Sequence, residues 1–313
     1  MNFSEEVKSE IIEGKNLSLC CKKALLSAFL RTAGLVVARD GNVGIEFSSD
    51  SKDVARKIAS FIKEIYGFNS TLSEGVDKFR KKGRTTYACV EKNSIYMLID
   101  MGIIDVSDGE ISIKLNIDWE TVEDECCKVS FLKGAFLGSG SVTIPKEDGS
   151  SSTGYHLEFV FTNYLTATDF CELLSELYFI PKLIERKETF IVYFKPRDEI
   201  SDLLAMMGAS KAVLKLTGLA VVKEAKNNYN RKLNCEISNM SKQMGASAKQ
   251  INAVMKIDEI LGLESLPESL RAVAKARLEN KDLTLSELAE ALGISKSCLN
   301  HRLRKIVELS ETL

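Results

Sequence analysis

Two apolar rhythms alternate over the first two-thirds of the chain. Leu35–Ala38 and Val43–Phe47 carry strand-like patterning, and a 3.6-residue periodicity over Lys52–Tyr66 predicts a helix. Strand signals follow at Asn69–Leu72 and Thr85–Val90, then a helical run at Ser94–Met101. The succession then recurs. Strands are predicted at Ser141–Ile144 and Tyr155–Phe161, where Leu157, Phe159 and Phe161 alternate with Glu158 and Val160. A helix follows over Thr166–Tyr178, strands at Leu183–Arg186 and Thr189–Phe194, and a helix at Asp198–Met207.

The segments that open the two successions are related in sequence. Cys20–Gly34 aligns with Cys126–Gly140 at a constant offset of 106, with five of fifteen positions identical. That spacing exceeds the ~20–50 residues of a solenoid unit, so it marks a duplicated domain. Each half reads αββαββα. Together they predict a pseudo-twofold α+β domain over residues 1–215, with repeats of about 1–110 and 111–215. Ala28, Gly34, Gly134, Gly138 and Gly140 place small residues where leucines would ordinarily pack. A helical glycine costs about 1 kcal/mol against alanine, so the cluster implies two helices whose backbones approach closely.

Leu26–Gly34 and Leu132–Gly140 resemble the two motif helices of the LAGLIDADG homing endonucleases. In that family each motif ends in an acid followed by glycine, and the two carboxylates bind the divalent ions that cut DNA. Here the acid positions fall on Ala33 and Ser139. Mg²⁺ needs hard anionic oxygen ligands, which a methyl group lacks and a neutral hydroxyl supplies poorly. The resemblance therefore implies the fold without the nuclease activity, and no enzyme function is expected; an active homing endonuclease is the rival reading, and it would need carboxylates at positions 33 and 139. The other reading of Gly138-Ser139-Gly140-Ser141, a phosphate-cradling loop, lacks the lysine and glycine spacing of a P-loop.

Past residue 215 the texture changes. Residues 216–246 are expected to form a connector rich in asparagine and basic residues. Arg231, Lys232 and Asn234 on it suit phosphate contacts, or equally a solvated interdomain segment. Residues 247–313 are all-helical in pattern. Ser247-x-x-Gln250 has the form of a capping box opening a helix to about Leu261, and Ser265-Leu266-Pro267-Glu268 opens another to Asn280. Thr284-Leu285-Ser286-Glu287 starts a short helix, Leu285–Leu292, that Gly293 ends, and Ser295 caps a last one, Lys296–Leu309. A short helix, a glycine turn and a second helix form a helix-turn-helix signature.

On the last helix Leu299, Leu303, Ile306 and Val307 point one way. Ser297, His301, Arg304 and Lys305 point the other, flanked by Asn300 and Arg302, with Lys296 at the start. Ser295–Val307 carries four basic residues and no acid. Such a face suits the major groove, with Arg and Asn for base edges and Lys for phosphates; a solvated basic face is the bland alternative. His301 serves there as a polar contact, since no partner ligand lies nearby in sequence.

The combination resembles the WhiA family of Gram-positive bacterial regulators along nearly the whole chain. The matching stretches are Ser4–Glu10, Cys20-Cys21 with Leu30-Arg31, Phe131–Ser141, Asn230-Arg231 through Asn234-Cys235-Glu236, Leu266–Arg271, Arg277–Asn280 and Ile294–Lys305. The resemblance implies a protein that binds double-stranded DNA in transcription control of sporulation, or in cell division and chromosome segregation. A protein-interaction module docking a sigma factor or division protein remains open beside it.

Composition refines the picture. No run approaches the ~18 apolar residues of a membrane helix, and the acidic, polar N-terminus has no signal-peptide pattern. A cytoplasmic, nucleoid-associated protein is expected. The net charge of −2 hides an asymmetry. Residues 1–220 hold 27 Lys plus Arg against 32 Asp plus Glu, and residues 221–313 hold 15 against 12. The eight cysteines form no C-x-x-C pair and only two histidines are present. They read as reduced small hydrophobes, with no cofactor or metal site expected.

Overall fold

Asn2 opens the first helix with a full capping box: its side chain accepts from the Glu5 amide at 2.8 Å, and the Glu5 carboxylate accepts from the Asn2 amide at 3.0 Å. This helix, α1 (Phe3–Glu13), buries Val7 and Ile11. Ser18 caps α2 (Leu19–Ala33), which leads into β1 (Gly34–Arg39), β2 (Asn42–Ser49), α3 (Lys52–Tyr66), β3 (Thr71–Val76), β4 (Gly83–Cys89) and α4 (Ser94–Asp100). A hairpin, β5 (Ile104–Ser107) with β6 (Glu110–Ile113), and a 3₁₀ turn at Trp119–Val122 then intervene. The second repeat follows as α5 (Glu125–Ser139), β7 (Ser141–Thr143), β8 (His156–Phe161), α6 (Tyr164–Glu176), β9 (Lys182–Arg186), β10 (Thr189–Phe194) and α7 (Arg197–Met206). The computed structural model describes residues 2–14, 17–76, 83–107, 109–145 and 154–313.

The expected duplication is present element for element. The two four-stranded antiparallel sheets share one order, β1-β2-β4-β3 and β7-β8-β10-β9. In each, alternate residues of one strand face the core: Ile45 and Phe47 on β2, Leu157, Phe159 and Phe161 on β8. Each motif helix docks on its sheet through an edge-to-face aromatic pair. Phe29 meets Phe47 at 5.9 Å between ring centroids, and Phe136 meets Phe159 at 6.0 Å.

Between the sheets α2 and α5 pack against each other, and the glycines explain how. A Cβ added at Gly134 would stand 2.1 Å from the Leu25 carbonyl oxygen, and one at Gly138 would stand 2.0 Å from Thr32 Oγ1. The small-residue cluster is therefore a backbone-to-backbone seam. Arg31 fastens the inter-repeat segment to it, donating to the carbonyls of Gly102 and Lys114. Burial pushes the Arg31 guanidinium down to about 10, against the opposing pull of Asp118 and Asp169.

The chain divides into the units Met1–Val221 and Val222–Leu313. In the second half one expectation fails. No helix opens at Ser247; α8 runs unbroken over Ser210–Leu261, so residues 216–246 are helical. Ser247 Oγ instead donates to the Lys281 carbonyl at 3.1 Å. The capping pattern was only sequence deep, because no proline interrupts the helix and Gly218 and Gly245 weaken it without stopping it. The true start lies where Glu10 accepts from the Lys211 and Ala212 amides, at 2.6 and 3.1 Å. After α8 come a 3₁₀ turn at Leu263–Ser265, then α9 (Glu268–Glu279), α10 (Leu285–Ala291) and α11 (Lys296–Glu311). Val254, Ile257, Val273, Ala274, Leu288, Leu299, Leu303 and Ile306 form this unit's core. Among the described residues no helix is long and apolar enough to cross a membrane.

Candidate nucleic-acid interface

Local sequence fixes the α10–α11 corner. Thr284 Oγ1 accepts from the Glu287 amide at 3.3 Å while Glu287 accepts from the Thr284 amide at 2.8 Å. That hydrogen bond from the Thr284 backbone, together with the Thr284 side chain, holds the Glu287 carboxyl below its ordinary value. The box therefore stabilises the helix at pH above the ordinary carboxyl range and weakens as pH falls through the lowered pKa. We expect the unit's melting temperature to fall more steeply in wild type than in Glu287→Gln between about pH 6 and about pH 3, measured by circular dichroism melts. At the turn Gly293 adopts a positive φ of 65°, and the Gly293 and Ile294 amides donate to the Glu290 and Ala289 carbonyls at 3.0 Å each. Ser295 Oγ then accepts from the Cys298 amide at 3.2 Å and starts α11.

Leu299, Leu303 and Ile306 anchor α11, and all three are completely buried. Its far end is tied to α8 by a 2.8 Å ion pair from Lys249 to Glu311 and by Lys256 donating to the Ser310 carbonyl at 2.9 Å. Arg277, buried in α9, donates to the Leu283 carbonyl at 2.6 Å and holds the loop that precedes α10. The outward face is thus presented by a fixed helix. Lys296, Ser297, His301, Arg304 and Lys305 are exposed on it, and Asn300 and Arg302 are half-buried at its flanks. Arg231, Lys232 and Asn234 are exposed on α8, about 22 Å or more along that helix from Lys249.

Two features separate this face from an ordinary solvated helix. Among the described residues the side chains of Lys296, Arg302, Arg304 and Lys305 make no intramolecular ion pair or hydrogen bond, whereas Arg271 and Lys275 pair with Glu264 and Lys249 with Glu311. Charge order is the second. Lys296 opens α11 with no acid in its first turn, Arg302, Arg304 and Lys305 stand mid-helix, and Glu308 and Glu311 stand at its C-terminal end. That arrangement opposes the helix macrodipole, at a few tenths of a kcal/mol or more per charge near an end. A helix stabilised for its own sake would reverse it, as α10 does with Glu287. Anionic oxygens at the α11 N-terminus would satisfy the dipole and Lys296, and Arg302, Arg304 and Lys305 offer donors to further anions along the face.

At the other candidate site, the C-terminal ends of the motif helices, Ala33 offers a methyl group and Ser139 Oγ accepts from the Val160 amide at 3.3 Å. The remaining oxygen at this pair of positions is thus spent inside the fold. Four of the cysteines, read from sequence as reduced small hydrophobes, lie together: Cys20, Cys21, Cys126 and Cys127 converge at the opposite ends of the same two helices. The signal for this was the duplicated vicinal pair itself, once the halves are placed about a twofold axis.

Three family models cover most of the chain in order: the WhiA N-terminal LAGLIDADG-like domain over residues 19–104, the WhiA LAGLIDADG-like domain over 128–226, and the WhiA C-terminal HTH domain over 229–310. A protein of Bacillus cytotoxicus named "Probable cell division protein WhiA" is 38% identical over 320 residues, covering 100% of this chain and 97% of its own length. This chain belongs to the WhiA family. A WhiA relative from Bacillus cereus is 36% identical over 319 residues. Full-length WhiA from Thermatoga maritima, solved by crystallography, superposes with a TM-score of 0.61 at 26% identity, covering 100% of this chain and 99% of that one. As a WhiA family member the chain pairs a degenerate LAGLIDADG-like fold with a helix-turn-helix. It is not a nuclease of the LAGLIDADG type, because neither motif supplies a carboxylate.

Proposed function

We propose that this chain is a sequence-specific regulator that binds double-stranded DNA in the cytoplasm, at the nucleoid, and controls transcription tied to cell division. Chromosome segregation and sporulation are the processes the resemblance attaches to such a role, and the names of the Bacillus relatives point to division. The observation that carries the reading is the fixed, acid-free face of α11 with its unpaired Lys296, Arg302, Arg304 and Lys305. Arg304, Asn300 and His301 read base edges, and Lys296, Lys305 and Ser297 hold phosphates. Arg231, Lys232 and Asn234 on α8 add sequence-independent phosphate contacts. In this scheme residues 247–313 read DNA, residues 216–246 contact its backbone, and the pseudo-twofold part, residues 1–215, is scaffold and partner surface.

The test is fluorescence anisotropy on duplexes recovered by genome-wide binding, repeated across a salt series. Arg304→Ala is expected to cost about 1–3 kcal/mol on the preferred duplex and to relax its sequence preference. Lys305→Ala is expected to weaken all duplexes alike and to lower the slope of log affinity against log salt by about 1. Unchanged binding in both variants would remove α11 as the reader. Co-purification with a sigma factor or division protein that survives nuclease, with no affinity for any duplex, would make α11 a docking helix for an acidic partner instead.

A further inference from the structure

The geometry points to a metal site of four thiolates, built by the duplication, at the N-terminal ends of α2 and α5. Cys20 and Cys21 stand in the first turn of α2, Cys126 and Cys127 in the first turn of α5. All four sulfur atoms lie within 4.8 Å of one another. A tetrahedral ion with zinc–sulfur bonds of ~2.3 Å sets thiolate sulfurs about 3.8 Å apart, so closure needs movements of about 1 Å or less. A multi-iron cluster would hold its thiolates farther apart than this cage allows. Four soft ligands at tetrahedral spacing suit a single Zn²⁺, or Fe²⁺ in the same cage.

The alternatives account for less. Core packing explains Cys21 and Cys127, which are buried, but not Cys20 and Cys126, which are exposed. Neighbouring residues on a helix diverge by about 100°, so a vicinal pair cannot enclose an ion alone. Two such pairs facing across the seam can, each giving one ligand from below and one from the rim. The site also has its charge compensation built in. Binding displaces four thiol protons to solvent and leaves a complex of charge −2, which the positive dipole ends of the two helices offset in part. In the structure the four are free thiols, with Cys21 Sγ already 3.5 Å from the Cys126 carbonyl across the seam.

The ion would lie about 18 Å along the helices from Ala33, twelve residues beyond Cys21. It is therefore unrelated to the divalent ions of a LAGLIDADG nuclease. Its consequence is structural: one ligand pair comes from each repeat, so the ion staples the two halves.

The test uses the full chain purified under reducing, anaerobic conditions. Elemental analysis is expected to find one zinc or iron per chain and tells the two apart. Cys21→Ser and Cys127→Ser are expected to lower that content about tenfold or more, while Cys235→Ser and Cys298→Ser, outside the cluster, retain it. Should the cluster variants misfold, Co²⁺ alone is titrated into the metal-stripped wild-type chain. An intense thiolate-to-cobalt band saturating at one equivalent supports the site. Four thiols that react equally fast with and without saturating Zn²⁺, with no cobalt band, would overturn it. So would an intact mass lower by two hydrogens per disulfide in the chain as purified.

Discussion

Gly134→Val lowers the melting temperature of the Met1–Val221 unit by about 6–12 °C. The new Cβ would stand 2.1 Å from the Leu25 carbonyl oxygen and 2.9 Å from Ala28 Cβ, and neither neighbour is a flexible side-chain tip. The two helices must separate, which loosens buried Leu25, Ala28, Phe131 and Ala135 on both sides of the seam. Overpacking of this kind costs about 3 kcal/mol at the upper end of the usual range. For a unit of this size each kcal/mol corresponds to about 2–4 °C. Gly245→Ala supplies the contrast, because nothing lies within 4 Å of its added Cβ. There the gain in helix propensity, about 1 kcal/mol, stands alone and the chain is stabilised. Calorimetry separates the outcomes; a Gly134→Val chain that melts with wild type would show that the seam is not tight.

Leu303→Ala acts on the other unit and more severely. Leu303 is completely buried among Val273, Leu288, Leu299 and Ile306, in a core of few large side chains. Truncating a buried leucine costs about 2–5 kcal/mol, the removed contacts plus the cavity left behind. In a small unit that approaches the whole margin of stability, and the transition falls by about 10–30 °C. Under the proposed function, duplex affinity falls with the folded fraction and recovers on cooling. Arg304→Ala must behave differently, losing affinity with no change in melting. Coincident loss of both in Arg304→Ala would mean that this arginine supports the fold rather than contacts DNA.

The repeat was readable because burial and periodicity coincide there. Lys52–Tyr66 was predicted to the residue, since its apolar stripe faces the core and Ser51 and Gly67 bracket it. The β5–β6 hairpin escaped because Val106, Ile111 and Ile113 are exposed, so its alternation marks no buried face, although Asp108-Gly109 is a hairpin turn signal. Residues 216–246 read as a connector rather than as part of α8 because the capping pattern at Ser247 has no partner in the fold. Ser247 Oγ finds a carbonyl in another segment, and the cap that does operate comes from Glu10, far away in sequence. The α11 face was legible from its spacing alone, whereas the lack of acids around its cations is a property of three-dimensional arrangement. The four-cysteine cluster lay beyond pair-spacing rules because its ligands come from different halves.

Glu10 has a consequence for how the chain is made. Its carboxylate waits for amides 201 residues later, and Ser4, on the same helix, exchanges hydrogen bonds with Val142. At about 5–20 residues per second on a ribosome, some 10–40 s separate the emergence of Glu10 from that of Lys211. For that interval the Glu10 carboxylate lacks the amides it caps, and the first unit closes only when the start of α8 arrives. Non-local closure of this kind raises contact order, so the closing of the first unit is slower than the formation of its local helices.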